Sequence, residues 1–276
     1  MSALPLPGPV WLIGCGNMAG AMLEGWLAAG ADPRMFTVIR PSGRPAADGV
    51  RVLTVLPEDE VPALVLLGVK PQKLDEVAPA LSRALEPETI LVSILAGVEL
   101  AALRVRFPTP RIVIRAMPNL PVSLGKGVVP LYSDADEGGA ATETVSRLMT
   151  ALGRAEWFED EGLFALAGHL TAAAPAFLFR FIDALADAAA ELGLPPDRAA
   201  SLAAAMAEGA GALAAASKET PQALARYVAS PDGTTEAGLK VLDSEDGLRP
   251  LILRTLEASR RRSEEMAEAA RSAARR

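Results

Sequence analysis

The segment that most restricts what this chain can fold into is Gly14-Cys15-Gly16-Asn17-Met18-Ala19, which follows the apolar run Val10-Trp11-Leu12-Ile13 and opens a helix-forming stretch. Two closely spaced glycines let the backbone turn sharply and let a ligand approach the main chain. The helix that follows presents free N–H groups to an anion. Strand, loop and helix fall in the order that a dinucleotide pyrophosphate needs, so Gly14, Cys15, Gly16, Asn17, Met18 and Ala19 are read as cofactor-binding residues. The competing reading is a turn with a structural role only. With no histidine nearby in sequence, Cys15 reads as a small loop residue rather than a nucleophile.

Short β-branched or leucine-rich runs recur at residues 10–13, 36–39, 51–56, 64–69, 90–94 and 112–114. Helix-forming segments lie between several of them, at 19–29 and 73–85, the second with an interruption expected at Pro79. Strands alternating with helices predict a doubly wound, Rossmann-type parallel sheet. From residue 163 to 216 only Thr171 and Ile182 are β-branched while alanine and leucine dominate, which predicts helices. Gly193-Leu194-Pro195-Pro196-Asp197 stops one helix and starts the next, and Thr220-Pro221 reads as an N-cap with proline at the first helical position. The expected organisation is a nucleotide-binding domain over residues 1–160 and an all-helical C-terminal domain over residues 161–276. The acidic stretch Glu159-Asp160-Glu161 marks the boundary.

A net charge of -7 and a pI near 5.0 disfavour a nucleic-acid partner. Cys15 and His169 are the single members of their residue types, so one chain assembles neither a disulfide nor a Cys/His zinc site, and no metal is expected. Residues 1–9 lack the basic start of a signal peptide. Uninterrupted apolar runs such as 63–69 fall well short of the roughly 20 residues of a membrane helix. A cytoplasmic protein without a membrane partner is the expectation. The arginines at 260–262 and 271–276 read as a solvated helix end, where cations suit the dipole.

In NAD-binding versions of such a fold a carboxylate near the end of the second strand receives the ribose hydroxyls. Here the stretch is Ile39-Arg40-Pro41-Ser42-Gly43-Arg44, with none. Two guanidinium groups and a hydroxyl suit a 2'-phosphate, so Arg40, Ser42 and Arg44 are taken as its ligands. NADPH is the expected cofactor and NADH a weaker alternative. The other reading makes one or both arginines ordinary surface charges.

Three further strings follow in order: Val69-Lys70-Pro71-Gln72, Ala116-Met117-Pro118-Asn119, and Ser230-Pro231-Asp232-Gly233-Thr234-Thr235-Glu236-Ala237-Gly238-Leu239. With the glycine loop before them and an alanine-rich helical stretch between the last two, residues 10–266 resemble the pyrroline-5-carboxylate reductase family. The resemblance implies reduction of a cyclic imino acid, 1-pyrroline-5-carboxylate, to L-proline by NADPH. It implies a homodimer formed through the helical domain, with dimers assembled into larger rings. It places the cofactor against Gly68, Val69, Lys70 and Pro71 and against Leu95, Ala96 and Gly97. It also makes Gly233, Thr234 and Glu161 substrate contacts and Thr235 the hydroxyl that donates toward the imine nitrogen. Helix capping by the threonines, an exposed linker carboxylate at Glu161 and a surface role for His169 are the simpler alternatives.

The chain departs from the family at several places. Thr171-Ala172-Ala173-Ala174-Pro175-Ala176-Phe177 stands where the family usually has Ser-Gly-Ser-Gly-Pro-Ala-Tyr. Leu120 replaces a threonine, Asp232 a glycine, and Val55 an asparagine near the adenosine. These replacements leave open a reductase of another cyclic imine, or a noncatalytic NADP-binding protein.

Overall fold

The computed structural model describes residues 4–135 and 139–274, with side chains described through residue 268. The side chains of Arg271 to Arg276 and the first three residues of the chain therefore lie outside the described residues. By contacts the chain forms two compact units, one of Met1–Ala173 with Arg260–Arg276, the other of Ala174–Ser259.

The first unit is built on one eight-stranded sheet. Its elements in chain order are β1 (Val10–Ile13), α1 (Asn17–Ala28), β2 (Phe36–Ile39), β3 (Arg51–Leu53), β4 (Leu64–Leu67), α2 (Leu74–Ala84) and β5 (Ile90–Ser93). There follow α3 (Leu100–Arg106), β6 (Ile112–Ala116), β7 (Gly127–Ser133), α4 (Ala140–Thr150), β8 (Gly153–Phe158) and α5 (Glu161–Thr171). The strand order is β3-β2-β1-β4-β5-β6-β7-β8. Every residue of β1, β2, β4 and β5 is buried, because both faces of the sheet are covered. Alternate residues feed separate cores: Leu12, Val38 and Leu66 join Trp26 and Phe36 on one face, while Trp11, Val65 and Leu91 join Leu81 and Phe107 on the other. The buried Trp26 stacks on Phe36 and donates its indole N–H to the Leu148 carbonyl at 2.8 Å, leaving no polar cost for its burial.

The sheet is mostly rather than wholly parallel. β6 and β7 pair antiparallel, and β8 then runs parallel to β7. The cause is the connection: residues 117–126 hold only a short 3-10 turn, Leu120–Leu124, and a parallel return needs a crossover of a dozen or more residues. The interruption expected at Pro79 is not found. α2 runs unbroken through it, held by the buried face of Leu74, Ala78 and Leu81.

The second unit holds α6 (Ala174–Glu191), α7 (Pro196–Ala216), α8 (Pro221–Val228), α9 (Thr234–Leu242) and the first part of α10 (Leu248–Ala274). The stop and start signals act where the residues place them. Gly193 takes φ +106°, Pro196 opens α7, and the Thr220 hydroxyl caps α8 by accepting the Ala223 N–H at 3.2 Å. The core between α6 and α7 is small, with Ala186, Ala199 and Ala203 buried and Ile182 and Leu194 packed against them. Leu178, Phe179, Phe181, Leu185, Leu202 and Leu213 remain exposed. Two helical stretches, Glu161–Glu191 and Pro196–Ala216, are long and apolar enough to cross a membrane by length and composition, which uninterrupted apolar runs did not suggest.

Candidate functional site

The loops that leave β1, β2, β4 and β5 emerge at the C-terminal ends of parallel strands, on both sides of the point where strand order reverses around β1. In open sheets of this kind that edge is where a dinucleotide binds. Gly14 takes φ +80°, which a side chain would resist, and a Cβ there would stand 2.9 Å from Val69. Its N–H donates to the Ile39 carbonyl at 2.8 Å, which fixes the turn to β2. Gly16 is the N-cap of α1, with no side-chain cap bond and no acidic residue in the first turn. A Cβ on Gly16 would meet nothing within 4 Å, so the space beside this helix start is open. Free amides, positive helix end and open space together fit a pyrophosphate. Ala19 packs where only a hydrogen fits opposite it, since a Cβ on Gly68 would stand 2.8 Å from the Ala19 Cβ. Burial pushes the Cys15 thiol above its usual range, against the lowering effect of Arg40, which suits a packed loop residue.

After β2, Gly43 turns the chain with φ +60°, and Ser42 and Arg44 are exposed. Arg40 lies between this turn and the glycine loop and donates to the Cys15 carbonyl at 3.2 Å. Val55 is 71% exposed just beyond β3. After β4, the Gly68 N–H donates to the Ile13 carbonyl at 2.9 Å, Val69 follows, and Lys70 precedes a 3-10 turn opened by Pro71. After β5, Leu95 is buried, Ala96 is exposed and Gly97 takes φ +72°. Pro71 and Ala96 line a cavity of about 410 Å³ together with Val98, Arg106, Arg262 and Met266. The fold thus gathers all the cofactor residues expected from the sequence at one edge of the first unit.

Glu161, expected near the substrate, is drawn into the first unit's own framework. Its Oε1 accepts from Arg115 Nη1 and from the Leu100 amide, each at 2.7 Å. Arg115 is 5% exposed and lies over the Phe164 ring, 4.7 Å from its centre. Asn119 is a second brace: its amide donates to the Thr171 carbonyl at 3.0 Å and its Oδ1 accepts the Val128 N–H at 2.9 Å. It ties β7 to the end of α5, just before the altered Ala172-Ala173-Ala174 segment. Sequence reading assigned no role to Arg115 or Asn119; the one available signal was a charge inside the apolar strand Ile112-Val113-Ile114-Arg115-Ala116. His169 is half-buried, and desolvation holds its pKa below the usual histidine value, with Glu264 acting against that and Arg260 with it.

In the second unit, Gly233 is the N-cap of α9 and no side chain makes a cap bond. Among the described residues the Thr234 and Thr235 hydroxyls have no hydrogen-bond partner, so the capping alternative does not account for them. The turn before them is closed by other groups: Gly233 N–H donates to the Ser230 carbonyl at 3.0 Å and Asp232 N–H to Glu236 Oε2 at 2.6 Å. Asp232 takes φ +57°, the left-handed region that glycine enters freely and aspartate tolerates, which explains the family's usual glycine here.

Comparison with known proteins agrees with this arrangement. A family profile described as pyrroline-5-carboxylate reductase dimerisation matches residues 161–266, and one described as NADP oxidoreductase coenzyme F420-dependent matches residues 9–97. The chain is 36% identical over 264 residues to a pyrroline-5-carboxylate reductase of Pseudomonas aeruginosa, covering 93% of this chain and 96% of the relative. It is 30% identical over 266 residues to that of Escherichia coli, covering 94% and 98%. Among solved structures, a pyrroline-5-carboxylate reductase from Coxiella burnetii matches with TM-score 0.83 at 28% identity, covering 94% of this chain and 98% of that one. The Plasmodium falciparum pyrroline carboxylate reductase with NADP bound shares the fold, with TM-score 0.81 at 18% identity over 96% and 100%. On these sequence and structural grounds together, the chain belongs to the pyrroline-5-carboxylate reductase family.

Proposed function

We infer that this protein reduces 1-pyrroline-5-carboxylate to L-proline, consuming NADPH and a proton and releasing NADP⁺. The observation that carries the reading is a pairing within a chain matched along nearly its whole length by reductases of this imine. The first unit has an open helix start at Gly16 that suits a phosphate, and the second has a helix start at Gly233 whose threonine hydroxyls have no partner among the described residues.

NADPH supplies the hydride when bound, and that chemistry belongs to the cofactor. The chain's own residues bind, orient and supply a proton path. The α1 N-terminus would hold the pyrophosphate, and Gly68, Val69, Lys70, Pro71, Leu95, Ala96 and Gly97 would contact the rest of the cofactor. The amides of Gly233, Thr234 and Thr235 suit the substrate carboxylate, since a helix start favours an anion without needing an arginine. The Thr235 hydroxyl donates toward the imine nitrogen, which makes the neighbouring carbon a better hydride acceptor. A hydroxyl is too weak an acid to act alone, so its role is hydrogen bonding and proton relay.

Residues 1–160 carry the cofactor in this reading and residues 161–276 the substrate and dimer contacts. The exposed apolar side chains of α6 and α7 support a homodimer, because a helical unit with so small a core gains stability by burying that face against another copy. Further assembly of dimers into a ring, and a cytoplasmic location, belong to the same reading.

The test is NADPH consumption with pyrroline-5-carboxylate, compared with its six-membered homologue and its 2-carboxylate isomer. Turnover highest for pyrroline-5-carboxylate, with proline as product, supports the function. A preference for another ring moves the chain to a different imine, and tight NADPH binding without turnover of any imine makes it a binding protein.

A further inference from the structure

Arg40 and Arg44 carry the same charge four residues apart, but their guanidinium groups are committed differently. Arg40 Nη1 donates to the Cys15 carbonyl at 3.2 Å, and Nε donates to the Arg44 carbonyl at 3.0 Å. Nη2 donates to the Pro45 carbonyl at 2.7 Å and also to the Arg44 carbonyl. Four of the five N–H directions of the group are thus spent on main-chain oxygens. Arg44 is exposed, and among the described residues its guanidinium makes no hydrogen bond or ion pair.

The Cys15 bond has a consequence at the cradle. A peptide unit is planar and trans, so its C=O and N–H point in opposite directions. Holding the Cys15 C=O toward Arg40 therefore turns the Gly16 N–H the other way. That amide belongs to the N-cap of α1, beside the open space at Gly16. The other bonds of Arg40 hold the turn that carries Arg44. One side chain thereby sets both the phosphate loop after β1 and the loop after β2.

We propose that Arg40 is a positioning residue that orients the Cys15–Gly16 peptide for a pyrophosphate common to both nicotinamide cofactors, while Arg44 meets the 2'-phosphate and selects NADPH. This rests on the NADPH-dependent function above. It divides between two residues a task that the sequence assigns to both.

The experiment measures dissociation constants of the full-length protein for NADPH, NADH and 2',5'-ADP, the last as a probe bearing the 2'-phosphate without nicotinamide. In Arg44→Ala, NADPH and 2',5'-ADP should weaken about 10 to 100-fold while NADH holds, as expected for loss of a charge-assisted contact at an exposed site. In Arg40→Ala, NADPH and NADH should weaken by the same factor, roughly 3 to 30-fold. Arg40→Lys should behave like Arg40→Ala, because an ammonium cannot span three carbonyls in the guanidinium's plane. Selective loss of NADPH in Arg40→Ala with NADH untouched overturns the proposal, as does Arg44→Ala with unchanged NADPH affinity. A lowered melting temperature in Arg40→Ala with both affinities intact also overturns it, since that is support of the fold alone. Wild-type protein with no preference for NADPH would defeat the cofactor reading itself. In that case weakened NADH binding in Arg40→Ala still supports the positioning role, and unchanged NADH binding removes it.

Discussion

Glu161 at the start of α5 and Arg115 at the end of β6 form an ion pair of 2.7 Å across 46 positions of sequence, and the same carboxylate oxygen accepts the first amide of α3. One carboxylate thus joins a helix start, a buried guanidinium and the segment that follows Leu95-Ala96-Gly97.

Glu161→Ala leaves a buried cation and a helix amide without their acceptor. The loss of stability should be about 2 to 4 kcal/mol, below the range for a fully buried pair because the Glu161 side chain keeps 29% exposure. Urea unfolding measures it. The KM for the imine, measured alongside, separates two roles. An unmoved KM with lost stability makes Glu161 a brace, and a raised KM at intact stability makes it a substrate contact.

Thr235→Ala should lower kcat by about 10 to 1000-fold, the range for a positioned donor. NADPH affinity and unfolding free energy should stay near wild type, because the hydroxyl makes no cap bond that folding would lose. Wild-type turnover in this variant would remove Thr235 from the proton path.

Two helical glycines should answer differently to alanine, although alanine is favoured in helices by about 1 kcal/mol. A Cβ on Gly25 would overlap the Val122 carbonyl oxygen and stand 2.6 Å from Leu152 Cδ2, and backbone cannot swing aside. Gly25→Ala should therefore destabilise by about 1 to 3 kcal/mol. On Gly168 the clash is with the Met117 side chain, which has several rotatable bonds, so Gly168→Ala should stay within about 1 kcal/mol of wild type. Thermal or urea unfolding of both variants ranks them; the reverse order would contradict the packing.

Glu60 should contribute a measurable acid limb to stability. Burial alone would raise its pKa, but the Trp11 indole N–H at 2.7 Å and the Arg51 guanidinium at 2.5 Å hold it below its ordinary 4.5. A carboxylate depressed in the folded state stabilises it above the unfolded pKa and loses that contribution as pH falls through the folded one. Glu60→Gln should accordingly flatten the fall of melting temperature between about pH 6 and pH 3 relative to wild type. An equally steep fall would place the acid sensitivity in other carboxylates.

The glycine loop, six of the eight strands and the helical second half were legible in the residues themselves, because each signal is local. Gly14 announces a positive φ, Val10-Trp11-Leu12-Ile13 announces a strand buried on both faces, and Thr220-Pro221 announces a helix start. β7 and β8 gave weaker signals: proline sits inside one, and the residues of the other are all half-buried or exposed. The antiparallel turn between β6 and β7 was hidden because direction depends on the length and path of a connection, not on the strand's own composition.

Residue chemistry alone determined that a tight glycine turn leads from β1 into a helix start and that cations, rather than a carboxylate, follow β2. Tertiary structure decided which groups each cation engages. Arg40 and Arg44 are indistinguishable as sequence, since both are arginines of the stretch that follows β2, near the expected ribose. Only the folded chain brings the Cys15 carbonyl, 25 positions earlier, within 3.2 Å of one of them. The same holds for Glu161, whose partners Leu100 and Arg115 are 61 and 46 positions away. A hydrogen bond is satisfied at short range and fixed angle, so its partner is set by where distant segments are packed, and packing over such separations is a property of the whole fold.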